Sequence, residues 1–293
     1  MTHHLAIKGL TLESQSPLHP KQTLINQLST QFNEGKISGI VGESGSGKTL
    51  LMKSVMQLLP EEIQVTEGSI TWDGNELAKR SQLPFAMIFQ DPLASLNPLR
   101  TIYYHLNEVI VRFHHKNKDQ RHDLMVDYLN KVGISNADQV LKLYPHELSG
   151  GMIQRIMICM ALLKQPQILI ADEPTTALDV TTQKQILDIL SQLNQEEGLT
   201  IIFVSHDLAV IRDLCDEVKV MYAGKLVEEA PVVDLFERPG HRYTQELIQS
   251  IPAGRHKERL HEMRHIELSD QEWSNDQLVE IAPNHRVLGG LQS

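Results

Sequence analysis

An α/β fold on a mostly parallel sheet, covered on both faces, is what this chain predicts, and three observations predict it. Strand-like and helix-like segments alternate along most of its length. The strand-like runs "KISGIV" and "QILIAD" are almost continuously apolar, as strands buried on both faces are. The first of these runs straight into a glycine-rich turn, "GESGSGKT", that opens onto a helical pattern.

The elements follow in order. "LAIKGLTL" (5–12) alternates loosely and reads as a strand, and a loop with Pro17 and Pro20 comes next. "KISGIV" (36–41) is a short buried strand. "KTLLMKSVMQLL" (48–59) has helical apolar spacing and stops at Pro60. "GSITWDG" (68–74) is a strand closing on an Asp73-Gly74 turn, and "FAMIF" (85–89) is another. Residues 101–131 favour helix, with His114, His115, Lys116 and Lys118 placed in a loop. A second glycine turn, "ELSGGMIQR" (147–155), opens a further helix. The strand "QILIAD" follows Pro166, and then come helix 180–195, strand 199–204, helix 207–214 and strand 217–222. Helix interrupts the alternation over 92–150. With the helix behind the second glycine turn it marks an inserted helical subdomain of about 92–163. Beyond 231 the chain turns amphipathic, then polar.

The totals exclude several classes. The 293 residues suffice for one large α/β domain with a subdomain. No run of eighteen or more apolar residues is present, so no membrane-spanning helix is expected. "MTHHLAIKGL" lacks the basic start and apolar stretch of a signal peptide. Cys159 and Cys215 stand apart without metal-ligand spacing, which suits a reducing compartment. A formal net charge of −10 argues against a duplex-DNA footprint.

Chemistry concentrates in two stretches. "GESGSGKT" (42–49) matches G-x-x-x-x-G-K-[ST], between strand and helix as that motif requires. Gly42, Gly45 and Gly47 let the backbone curl so that N–H groups, including those of Ser44 and Ser46, point at phosphate oxygens. The helix N-terminus adds partial positive charge. Lys48 would reach the β- and γ-phosphates, and the Thr49 hydroxyl would ligate Mg²⁺. "ILIADE" (168–173) ends a buried strand on Asp172, able to hold Mg²⁺ through water, and on Glu173, placed to polarise an attacking water as general base. Taken alone, such an acidic strand end is an ordinary loop junction; downstream of a phosphate loop it reads as catalytic.

With these motifs the chain resembles an ATP-binding-cassette (ABC) ATPase. The resemblance implies a RecA-like P-loop core, an antiparallel β subdomain and an inserted α-helical subdomain. It implies that "LSGGM", with Ser149, Gly150 and Gly151, is the signature loop, which caps the γ-phosphate held by the opposite subunit of a head-to-tail dimer. That accounts for a second glycine turn without a lysine. The fifth position is Met152, a departure from the LSGGQ pattern. By the same resemblance Gln90 in "IFQDP" is the Q-loop residue near Mg²⁺ and the attacking water. Asp179 in "TALD" lies at the dimer seam, and His206 in "FVSHDL" contacts the γ-phosphate.

"IFQDPLASLNP", "YPHELSGGM", "DEPTTALD" and "RPGHRYTQELIQSIP" resemble the ATPases of oligopeptide, dipeptide and nickel importers over residues 5–252. This implies an ATPase domain over 1–252 and a C-terminal extension of the peptide-importer type over 253–293, whose "VEIAPNHRV" (279–287) is similar to the end of that family's tail. It implies ATP and Mg²⁺ as ligands. The implied partners are a second ATPase subunit of different sequence, two membrane permeases and an extracytoplasmic solute-binding protein, with no nucleic acid. The expected place is the cytoplasmic face of the cell membrane. Two departures stand out. No Phe, Tyr or Trp precedes Phe32, so His19 is the ring nearest the place where an aromatic side chain stacks on adenine. No cysteine follows Cys215, so no iron–sulfur cluster is expected. His256, His261 and His265 in the tail read as a solvated helix face, with a metal site as the lesser alternative. The competing functions are a soluble ABC ATPase acting on ribosomes or nucleic acid, and a noncatalytic regulatory half. Lys48, Asp172, Glu173 and His206 argue against the latter.

Overall fold

The computed structural model describes residues 4–15, 21–77, 83–114, 116–176, 178–250 and 277–289. Pro17, His19, Pro20, His115 and the tail histidines 256, 261 and 265 lie outside them, as does most of the 253–293 extension. The chain separates into two compact units, Met1–Ser81 with Ile202–Ser293, and Gln82–Ile201.

The first unit carries a four-stranded sheet in the order β2 (Gln22–Asn33), β1 (His4–Ser14), β4 (Ile63–Trp72), β5 (Asn75–Glu76), all antiparallel. Its β2 is absent from the elements read in the sequence. The reason is a bulge: Gln27 adopts φ 49°, so the buried residues run Ile25, Leu28, Thr30, Phe32 and the period of two is broken once. Strand β4 starts five residues earlier than "GSITWDG" suggests: its first half lies exposed from Gln64 to Glu67 and buries no face.

A second sheet in this unit is ordered β11 (Leu278–Ala282), β12 (His285–Leu288), β10 (Lys225–Pro231), β9 (Glu217–Tyr222), β3 (Ile37–Val41), β8 (Thr200–Val204). The division between the units falls within β8. Strands β3 and β9 pair in parallel, but β9–β10, β10–β12 and β12–β11 are antiparallel. The parallel sheet thus gains an antiparallel flank, which the sequence reading did not include. Strand β10 hides because Glu228 sits at its centre, fully buried, where the pattern calls for an apolar residue. Helix α1 (Lys48–Val55) ends a turn before the expected boundary. Gln57 takes φ 57°, and Leu58 N–H bonds the Lys53 carbonyl at 2.8 Å, a left-handed C-terminal cap made without glycine.

In the second unit β6 (Phe85–Ile88) and β7 (Ile168–Asp172) pair in parallel, with Ile88 opposite Ala171. Its helices are α2 (Ile102–Phe113), α3 (Lys118–Lys131), α4 (Ala137–Val140), α5 (Gly150–Leu163) and α6 (Val180–Glu197). Lys118 opens α3 rather than lying in the preceding loop, because Asn117 and Gln120 form a reciprocal capping box ahead of it. Helix α5 is buried nearly all round, as its run "IMICMALL" requires. Arg155 of α5 bonds the Val132 and Gly133 carbonyls at 3.0 and 3.1 Å and Gln185 at 2.7 Å, tying α3 and α6 to it. The first unit also carries α7 (Leu208–Leu214), α8 (Val232–Glu237) and α9 (Arg242–Gln249).

Candidate functional site

The first glycine turn is a curl that only its glycines permit. Gly42 has φ 151°, and a Cβ there would lie 2.0 Å from the Met221 carbonyl oxygen. Gly47 at φ 101° turns the chain into α1. Ser46 N–H bonds the Glu43 carbonyl at 3.2 Å, and Gly224 N–H bonds the Ser46 carbonyl at 3.1 Å, so the loop is braced from both sides. Lys48 is 5% exposed. Its Nζ donates to the Gly42 carbonyl at 2.8 Å and the Glu43 carbonyl at 2.7 Å, and lies 3.5 Å from Ser46 Oγ. The ammonium is therefore held by its own loop backbone rather than left in solvent. Ser44 and Gly45 at the crown are exposed, and Thr49 follows in the first turn of α1.

His206 belongs to the same unit. Ser205 N–H bonds the Ile40 carbonyl at 3.1 Å, so His206 leaves the end of β8 next to where β3 enters the loop. Asp207 fixes the turn, capping α7 through Ala209 N–H at 2.9 Å and Val210 N–H at 3.4 Å. The His206 ring is exposed.

In the second unit Gln90 and Glu173 leave the same ends of the parallel pair β6 and β7 and meet. Gln90 Nε2 donates to Glu173 Oε2 at 3.0 Å, and Thr176 Oγ1 donates to the same oxygen at 3.0 Å. Two donors thus aim one carboxylate. Glu173 itself sits at φ 47°, a left-handed conformation that costs a non-glycine residue about 1–2 kcal/mol. Asp172, one residue earlier, is 2% exposed at the end of β7. Thr176 was missed in the sequence reading; the signal for it was its place three residues after Glu173 in a tight turn, closed by Thr176 N–H to the Glu173 carbonyl at 3.2 Å.

The second glycine turn forms a capped helix start in the same unit. Ser149 is the N-cap of α5, its Oγ accepting Met152 N–H at 3.4 Å. Both Ser149 and Gly150 are exposed. A Cβ on Gly150 would meet Leu178 Cδ2 at 3.7 Å, and one on Gly151 would come 2.4 Å from Thr182 Cγ2. Thr182 in turn bonds Asp179, its hydroxyl at 2.6 Å and its N–H at 3.0 Å. The structure therefore brings Ser149, Gly150, Gly151 and Asp179 into one exposed surface. The Thr182 side-chain bond, then the backbone bonds of Thr182 and Thr181, hold the Asp179 carboxyl below its usual range.

A lysine-bearing phosphate loop between a buried strand and a helix in one unit, and a hydrogen-bonded glutamate ending a buried strand in the other, are the marks of a P-loop nucleotide hydrolase. The ABC transporter family model matches residues 25–176, and the model of the oligopeptide/dipeptide transporter C-terminal region matches 227–275. The chain belongs to the ABC transporter family, as an ATP-binding, ATP-hydrolysing member. It is 44% identical over 239 residues to the oligopeptide transport ATP-binding protein AmiE of Streptococcus pneumoniae, covering 78% of this chain and 67% of that one. It is 41% identical over 245 residues to the dipeptide transport ATP-binding protein DppD of Escherichia coli, covering 80% and 75%. Among solved structures it is similar to the dimeric ATP-binding cassette MJ0796 in a post-hydrolysis state bound to ADP and Pi. The TM-score is 0.68 at 25% identity, over 78% of this chain and 98% of that one.

Proposed function

We propose that this chain is the ATPase subunit that drives an importer for peptides or a related small solute such as nickel or a metal chelate. Its relatives are named for oligopeptide and dipeptide transport, and its C-terminal region matches that of such transporters. The observation that carries the catalytic half of the reading is the pair of donors, Gln90 and Thr176, fixed on one oxygen of Glu173. A carboxylate so aimed can act as the base that takes a proton from water. Lys48 and the loop amides hold the phosphates, and His206 contacts the γ-phosphate. Thr49, Gln90 and Asp172 supply only oxygen donors, which suits Mg²⁺. That ion, when bound with ATP, neutralises charge on the β- and γ-phosphates.

In this reading Ser149, Gly150 and Gly151 serve the nucleotide of the opposite subunit, and Asp179 lies at that seam. The support is the exposure of this surface and its freedom from the lysine loop's duties. The opposite subunit is a second ATPase of different sequence. Two permeases and a solute-binding protein complete the assembly, at the cytoplasmic face of the membrane, without nucleic acid. Among the described residues no helix is long and apolar enough to cross a membrane. The test is purification of the tagged chain from membranes in mild detergent. Two permease chains and a second ATPase should accompany it, and ATPase activity should rise when the solute-binding protein and a peptide are added. Recovery with ribosomes or nucleic acid instead would overturn the transport reading.

A further inference from the structure

The segment 238–244, "RPGHRYT", has no part in the reaction as derived so far, yet it reaches the phosphate loop. Tyr243, in the first turn of α9, is 1% exposed. Its hydroxyl accepts the Glu43 backbone N–H at 3.0 Å. The carbonyl of that same peptide unit belongs to Gly42 and accepts Lys48 Nζ at 2.8 Å. The described chain contains no cis peptide bond, and a trans peptide points its N–H and C=O in opposite directions. Tyr243 therefore grips one end of the Gly42–Glu43 peptide and the catalytic lysine grips the other. Glycine leaves a peptide freer to rotate than any other residue, so an outside anchor has most to do here.

We propose that Tyr243 is a positioning residue for the phosphate loop, setting the Gly42–Glu43 peptide and, through it, the Lys48 ammonium for ATP. The proposal rests on the reading that this loop binds ATP.

The anchor is itself firmly seated. The Tyr243 ring packs on Tyr222 of β9, with centroids 4.2 Å apart. Tyr222 follows Met221, whose carbonyl oxygen closes on Gly42. His241 caps α9, its Nδ1 accepting Tyr243 N–H at 3.1 Å. The buried Glu228 carboxylate accepts Gly240 N–H at 2.7 Å and His241 N–H at 2.9 Å, and also holds His285 Nε2 of the C-terminal hairpin at 2.7 Å. One continuous set of bonds thus runs from β12 through β10 and α9 to the phosphate loop. Burial pushes the Tyr243 phenol up, so it stays neutral and the anchor does not titrate in the working range.

The experiment is Tyr243→Phe in the full chain, which removes one oxygen and keeps the ring on Tyr222. Mg-ATP affinity is measured by calorimetry, with kcat and KM for ATP from steady-state hydrolysis and Tm from a thermal melt. Loss of one hydrogen bond should raise both Kd and KM for ATP by roughly 3- to 10-fold. The kcat should change by less than about twofold, since the hydroxyl acts on nucleotide binding through the loop peptide and not on the base. Thr244→Val is the control: its buried hydroxyl has no hydrogen-bond partner, so affinity should stay at the wild-type value. A Tyr243→Phe chain that binds ATP as the wild type does, or that loses only Tm, overturns the proposal. Amide exchange of the unaltered chain gives a reading that needs no variant. The Glu43 N–H should exchange far more slowly than those of Ser44 and Gly45, and equal rates would also overturn it. Lys48→Ala separates the two readings. If Lys48→Ala retains wild-type affinity, the loop is not the ATP site; if it loses affinity while Tyr243→Phe does not, the positioning role alone fails.

Discussion

Glu173→Gln is the substitution whose outcome the geometry constrains most tightly. Gln90 Nε2 and Thr176 Oγ1 both donate to Oε2, each at 3.0 Å. A glutamine at this position can offer its carbonyl oxygen to both donors and turn its NH₂ to the other side. Shape and both hydrogen bonds survive, but no oxygen remains that can accept a proton from water. The two bonds change from charge-assisted to neutral, a loss of about 1 kcal/mol in stability. General-base removal is worth about 10²- to 10⁴-fold in rate, or about 3–5 kcal/mol of barrier. The catalytic effect therefore exceeds the structural one severalfold. ATP affinity should hold or rise, because one negative charge near a polyanion is gone. Glu173→Gly is the companion. It relieves the strain of φ 47° by about 1 kcal/mol while removing the same base, so it should be catalytically dead in a backbone no less stable. The assay is single-turnover hydrolysis of radiolabelled ATP, with a filter-binding measurement of retained nucleotide. Turnover within threefold of wild type for Glu173→Gln would refute the assignment of Glu173 as base. Loss of ATP binding together with turnover would instead mark it as a structural residue.

Three further outcomes are expected. Ser149→Arg should leave nucleotide trapping at this chain's own phosphate loop intact and abolish it at the partner subunit's loop, because the serine caps an exposed helix start that faces outward; trapping of labelled nucleotide on each subunit decides between the two patterns. Gly42→Ala should weaken folding by at least ~2 kcal/mol in urea titration, since the new Cβ would fall 2.0 Å from a backbone oxygen at φ 151°. Burial raises the Glu217 pKa, but the Lys219 charge and the bonds from Lys219, Ser38 and Asn33 outweigh it, and the carboxyl titrates below 4.5. A lowered folded pKa contributes stability above the unfolded value and loses it as pH falls through the folded one. Glu217→Gln should accordingly be less stable than wild type by about 2–3 kcal/mol at pH 7, below the 3–5 of a wholly buried pair. The difference should close at pH values under 4.5, and thermal melts across pH 3–7 will show whether it does.

The order of motifs along the chain determined a good deal by itself. A glycine turn between a buried strand and a helix, and an acidic pair ending another buried strand, are local features whose chemistry depends on residue type and spacing. They were legible because phosphate binding demands a particular backbone curl, and only glycines at 42, 45 and 47 supply it. The second glycine turn was legible as a helix start for another reason, a serine placed just ahead of an apolar helical run. Strands β2 and β10 were not, because a bulge at Gln27 and a buried carboxylate at Glu228 each break the local pattern that marks a strand. What Glu228 replaces in apolar burial it returns through partners at Gly240, His241 and His285, the last of them 57 residues away. Gln90 on Glu173 and Tyr243 on Glu43 are likewise decided by tertiary structure alone. The Tyr243 bond joins residues 200 apart in sequence, and no periodicity or propensity encodes which distant hydroxyl will face a given amide. Sequence set the chemical inventory of the site; the fold set which groups hold it in aim, because hydrogen bonds of that kind exist only once the sheet has brought β3, β9 and α9 side by side.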